Sequence, residues 1–170
     1  NDLFLLRKDM VALINEGIDG NVDTYDDVER INYTEQINGR MRVNAMGGND
    51  AFYMDDNSSI TTLDGGIGND LFQFGQLFKS ARDSAAGILP GDVFATIETT
   101  RGFLSNGASN PVTAYGGAGE DTFQVYHNLA TLRLEGGDDN DSFTVRAFVV
   151  LNEEAKQAMT FINSGEGADK

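Results

Sequence analysis

The chain has no cysteine, no tryptophan, two prolines and one histidine among its 170 residues. Without cysteine there are no disulfides, thiolate metal sites or cysteine nucleophiles. With His127 as the sole histidine, a His-based zinc cluster and an HExxH protease site are ruled out, and a Ser-His-Asp triad is disfavoured because His127 is read as an ordinary turn residue. Basic residues are also scarce: 12 Lys+Arg stand against 27 Asp+Glu, a net charge of −15. That surplus opposes nucleic-acid phosphates and anionic membrane surfaces and leaves cations as the invited partners. No apolar run reaches the roughly 18 residues of a membrane span, and no leader of the N-terminal signal type is visible, so membrane insertion is not expected.

What is abundant is glycine, at 20 residues, with 18 Asp and 15 Asn. Glycine this frequent beside so little proline matches neither collagen nor a flexible linker, so the glycines have fixed structural jobs. Short acids and amides favour turns and tight oxygen ligation over helix interiors.

One phrase recurs, Gly-Gly-x-Gly-x-Asp-x-Phe-x. It is complete at residues 65–73 and 116–124, and carries Asp139 in place of the third glycine at 136–144. A reduced copy spans 46–53, and partial copies lie at 1–5 and 164–169. The motif aspartates are Asp2, Asp50, Asp70, Asp121, Asp141 and Asp169, at intervals of 48, 20, 51, 20 and 28. Two residues after the first five stand Phe4, Phe52, Phe72, Phe123 and Phe143, and two further on Leu6, Met54, Phe74, Val125 and Val145. Seven and nine residues before the last five stand a second apolar set, Val43, Leu63, Ala114, Leu134 and Ile162 with Met41, Thr61, Val112, Leu132 and Thr160. Alternation on both sides of the turn predicts two strands per repeat. The fold expected is all-β, a right-handed parallel β-solenoid of five to seven coils, with an internal phenylalanine ladder and a column of aspartates along one edge.

The long intervals leave excursions at about 7–40, 75–111 and 149–159. Two readings stay open for the first two. Either they carry small helices, such as 6–18 and 77–86, or they hide degenerate coils anchored at Asp27 and Asp92. A third short helix is expected over 151–160, capped by Asn152. Residues 19–23 imitate the start of an EF-hand loop, but Thr24 and Arg30 stand where that loop needs Gly and Glu, so an acidic surface turn is the preferred reading.

Glycines let carbonyl oxygens converge in a tight turn, and one carboxylate per coil then faces its neighbour. A column of this kind repels itself unless cations enter, and oxygen donors at such density suit Ca²⁺ better than Mg²⁺. The nonapeptide resembles the repeats-in-toxin (RTX) calcium-binding family, in the degenerate form found in very large secreted bacterial surface proteins. The resemblance implies metal ligation by Asp50, Asp70, Asp121 and Asp141, and by Asp2 and Asp169 at the ends. It also implies roles in the calcium turns for Gly48, Gly65, Gly66, Gly68, Gly116, Gly117, Gly119 and Gly136, and for Asp139, which stands at the metal site where the pattern has glycine. Unlike typical RTX arrays, there is one copy per coil, so calcium is expected on one edge.

The resulting expectation is a calcium-binding structural segment of a longer array, secreted to the bacterial surface, folding outside the low-calcium cell and acting as spacer or assembly element rather than enzyme. Five divalent ions would take −15 to −5. Expected partners are calcium, neighbouring repeats, and copies stacked end to end through open strand edges. The alternatives are an adhesin module that binds a receptor or glycan through its excursions, and a carbohydrate-active β-helix enzyme built on a carboxylate pair.

Overall fold

Apolar–polar alternation on either side of each glycine turn makes one strand before the turn and one after it, and neighbouring repeats pair these strands into two sheets. A computed structural model describes residues 1–15, 27–33, 39–83, 86–89, 92–151 and 158–170. The strands before the turns are β4 (Met41–Asn44), β6 (Thr61–Ile67), β11 (Val112–Ala118), β13 (Leu132–Asp138) and β15 (Thr160–Glu166). They form a wholly parallel sheet in the order β15-β13-β11-β6-β4. Its register is that of the repeat: Val43, Leu63, Ala114, Leu134 and Ile162 lie side by side.

The strands after the turns, β1 (Asp2–Arg7), β5 (Ala51–Met54), β7 (Leu71–Phe74), β12 (Thr122–Val125) and β14 (Ser142–Val145), pair in parallel in a second sheet. Their phenylalanines stack face to face from Phe4 through Phe52, Phe72 and Phe123 to Phe143, with ring centroids 4.7–4.8 Å apart and planes within 10°. That spacing is the strand spacing, so sheet geometry imposes the stack. Phe52, Phe72 and Phe123 are completely buried and pack with Leu63, Ala114 and Leu134 into the core between the sheets. Each such ring contributes on the order of 1.5–3 kcal/mol by burial.

The parallel β-solenoid expected from the spacing is corrected by the rest of the molecule. The described residues are mostly β with almost no helix, but the strands do not all run parallel. After a two-residue turn at Lys8 and Asp9, β2 (Met10–Asn15) runs back antiparallel on β1, and β3 (Asp27–Asn32) is antiparallel to β2. The second sheet is therefore seven-stranded and mixed, β14-β12-β7-β5-β1-β2-β3. The second excursion adds an antiparallel sheet of β8 (Leu77–Phe78), β10 (Gly102–Ser105) and β9 (Thr96–Thr99).

The helix expected over 6–18 is a strand hairpin in its described part. The open backbone edge of β1 offers pairing that outweighs the helical spacing of its residues. That edge, expected to be free for end-to-end stacking, is covered by the hairpin. Residues 77–83 likewise contain β8 and bends rather than a helix. The EF-hand-like stretch 19–23 and residues 152–157 of the expected third helix lie outside the described residues.

Neither degenerate anchor begins another parallel layer. Asp27 opens an antiparallel strand, and Asp92 pairs with Arg7 at 3.0 Å and Arg82 at 3.6 Å. Arg7 is itself buried. Its guanidinium lies 4.6 Å from the Phe94 ring centroid and 3.5 Å from Asp55, tying the first strand to the second excursion.

Truncating the middle of the phenylalanine stack, Phe72→Ala, is expected to cost about 3–5 kcal/mol in urea unfolding. Phe143→Ala, at the partly exposed end of the same stack, is expected to cost clearly less.

Candidate cation site along the aspartate file

Each turn from the parallel sheet into the mixed one passes twice through left-handed backbone. The second motif position has φ of 72° at Met46, 102° at Gly66, 115° at Gly117, 122° at Gly137 and 92° at Gly165. The fourth has 118° at Gly48, 131° at Gly68, 122° at Gly119, 78° at Asp139 and 150° at Gly167. Met46 and Asp139 hold this conformation with side chains, at a cost of about 1–2 kcal/mol that the paired strands absorb, less for the aspartate.

The first motif glycine is required for a different reason. A Cβ on Gly65, Gly116 or Gly136 would fall on Oδ2 of the aspartate five residues later, Asp70, Asp121 or Asp141 respectively. The same spot is crowded by a carbonyl oxygen of the next repeat, that of Gly116, Gly136 or Ser164. In the Asp50 repeat, Ala45 follows Asn44, which pairs with Asp64, and so stands in line with Gly65. Its methyl belongs to the buried apolar cluster.

Asp50, Asp70, Asp121 and Asp141 are only 1–2% exposed. One oxygen of each is engaged across the repeats. Oδ1 of Asp50 accepts the Asp2 backbone N–H at 2.5 Å, and Oδ1 of Asp70 accepts that of Asp50 at 2.8 Å. Asp121 accepts from Asp70 at 2.8 Å, Asp141 from Asp121 at 2.9 Å and Asp169 from Asp141 at 2.9 Å. All six motif aspartates thus join one ladder. The other oxygen, Oδ2, is buried without a hydrogen-bond partner in Asp50, Asp70, Asp121 and Asp141.

Burial of half-satisfied carboxylates pushes the protonation of all four upward, against the pull of the backbone N–H each accepts. Asp70 is raised to about 6 and Asp121 to about 7, with neighbouring aspartates adding to the rise. Asp169, at the open end, is held below the usual range by the N–H of Asp141.

A second file, not singled out in the sequence, runs beside the first. Asn1 Oδ1 accepts the Asn49 N–H at 2.6 Å, Asn49 that of Asn69 at 2.9 Å, Asn69 that of Glu120 at 3.0 Å, and Asn140 that of Ala168 at 2.8 Å. Its signal was the asparagine preceding the motif aspartate at positions 1, 49, 69 and 140.

The structure therefore brings together Asp50, Asp70, Asp121 and Asp141 with the glycine turns, and places Asp2 and Asp169 at the two ends of the ladder. Asp139 is exposed on its turn, and it is its carbonyl oxygen that crowds Gly167. The donors available to a cation are hard oxygens carrying negative charge in a dry turn, which fits Ca²⁺. Among the described residues no group of three or more His, Cys, Asp or Glu side chains converges on one point. An ion here would take one or two carboxylates and complete its shell with backbone carbonyls. In comparisons with known proteins, no family model, curated protein or solved structure matches the chain.

Because Asp70 and Asp121 protonate near pH 6 and 7 in the fold but near 3.8 as ordinary carboxylates, the folded chain holds more protons between those values, and stability falls as pH rises through them. In chelator, protons alone are expected to recover more β signal, and a higher thermal midpoint, at pH 5 than at pH 8. Asp121→Asn keeps the acceptor for the Asp70 N–H and replaces Oδ2 by an NH₂ facing the Gly136 carbonyl. It should raise the pH 8 midpoint in chelator and flatten the pH profile. Gly116→Ala should destabilise by about 1–3 kcal/mol through overpacking. Gly39→Ala, with no atom of the described residues within 4 Å of the added methyl, serves as the neutral control.

Proposed function

We propose that the chain is a calcium-binding structural repeat module of a large secreted bacterial surface or matrix protein, one that folds when calcium is available and acts as spacer or assembly element rather than enzyme. The observation that carries this reading is the file of four buried aspartates, each with one oxygen tied to the neighbouring repeat and the other unpartnered. Oδ2 of Asp70, Asp121 and Asp141, with the carbonyls of Gly116, Gly136 and Ser164, would hold the ions. Bound calcium supplies positive charge where the chain concentrates negative charge. The residues supply the rest: the ladder bonds orient each carboxylate, the glycines leave the space, and the phenylalanine stack keeps water away.

The resemblance to RTX repeats supports the same reading and adds its biological sense. A chain of net charge −15 stays extended where calcium is low and condenses where it is plentiful. A second reading, an adhesin module, is favoured by a cavity of about 510 Å³ between the two excursions, lined by Lys8, Asp9, Tyr33, Asp56, Phe94 and Asn106. Polar groups beside an aromatic ring suit a glycan.

Far-UV circular dichroism with thermal melts tests the main reading, in chelator and then through a calcium titration with magnesium as control. The expected outcome is β signal and tens of degrees of stability gained with calcium and not with magnesium. A β-rich spectrum indifferent to calcium would sink the proposal and leave a file bridged by protons.

A further inference from the structure

The two principal sheets differ in length, seven strands against five. Strands β5, β7, β12 and β14 each share a turn with β4, β6, β11 and β13, but β1, β2 and β3 overhang with no strand opposite them among the described residues. The consequence is visible on β4. Leu63, Ala114 and Leu134 are fully buried, whereas Val43, in the same register, is only partly so. Met41 stands in the same relation to Val112 and Leu132.

Between the overhang and β4 lies a groove of about 480 Å³, roofed by Phe4, Val11, Leu13 and Ile31 and floored by Met41 and Val43. Ile31 is 69% exposed. Among the described residues nothing pairs with the outer edge of β4 beside it. The N–H groups of Met41 and Ala45 go to Ile60 and Asp64 on the β6 side, both at 2.9 Å. Strand alternation therefore turns the backbone groups of Arg42 and Asn44 outward.

We infer that this slot receives a single extended strand from a partner, paired parallel to β4 in the register that β6 uses, with apolar residues at its two inward positions and a carboxylate outward. Continuity of the parallel ladder sets the register, since each strand of the five-stranded sheet already pairs in this way. Charge sets the outward residue. Arg40 and Arg42 rim the groove in a chain that is otherwise strongly acidic, and Arg42 already takes a carboxylate from the strand on its other side, Asp64 at 2.6 Å. A whole second copy stacked end to end does not fit, because the strands accompanying its incoming edge would need the space of β1, β2 and β3. A lone strand fills the slot by the edge pairing that extends sheets in peptide recognition. The inference is independent of whether the aspartate file holds calcium.

The test is an anisotropy titration of the full chain, with calcium present, against a fluorescein-labelled peptide copying residues 131–140, TLRLEGGDDN, whose Leu132 and Leu134 take the inward positions and Glu135 the outward one. Saturable binding is expected. Arg42→Pro removes an outward N–H that the β4–β6 pairing does not use, and should weaken binding at least tenfold with little change in melting temperature. Arg40→Glu, at an exposed side chain, should weaken binding several-fold and covers the case in which the proline variant fails to fold. Absence of saturable binding, or equal affinity for the parent and a folded Arg40→Glu chain, would overturn the inference. So would a dimer that Arg42→Pro converts to monomer, since the occupant would then be a second copy.

Discussion

One hydrogen bond, repeated five times, organises the molecule: the backbone N–H of each motif aspartate donates to the carboxylate of the same residue in the adjacent repeat. It locks neighbouring turns at a one-to-one offset whatever length of chain lies between them, 20 residues or 51. With the turns in line, the phenylalanines two residues on must stack at the strand spacing. The inward residues of the preceding strands meet in the same way. With Oδ1 engaged, Oδ2 is driven into the turn beneath the first motif residue, which is why a side chain there collides with it.

That arrangement places like charges in a dry file, and its cost is what gives the turns their chemistry. A carboxylate with one oxygen unpartnered in low dielectric has two ways out, a proton or a cation. The upward shifts at Asp70 and Asp121 are the first, and the proposed calcium would be the second. Both would act on the same oxygen, so proton and metal would compete for one structural role. Stability and pH are linked through these four side chains.

Outside the repeats the fold is held by different physics. Arg7, at the end of β1, is buried against Asp55, the Phe94 ring and Asp92, which joins strand, repeat and excursion through one guanidinium. Buried Asp55 stays tolerable because Arg7 and Gln76 reach it. The hairpin of β2 and β3 closes the edge of β1 but overshoots the facing sheet, and so creates the groove beside β4. Protection of one edge leaves another open.

Periodicity alone was enough to locate the strands of the repeats, their register, the phenylalanine stack and the aspartates that form the ladder. These features depend on residues a fixed distance from a recurring turn, and each copy reports on the others. The aspartate ladder was not legible in its atomic form, because nothing in one chain segment says which carboxylate oxygen meets a backbone N–H 51 residues away. The excursions were less legible still. MVALIN is apolar at five successive positions, which fits a helix or a strand alike, and the free edge of β1 made it a strand. Asp92 carries the motif spacing to Phe94, yet Arg7 and Arg82 drew it into an ion cluster instead of a turn. Local pattern determined the repeated core, where every position is dictated by an equivalent neighbour; the tertiary structure decided the rest, because pairing to an open edge and neutralising a buried charge depend on what the folded chain brings alongside.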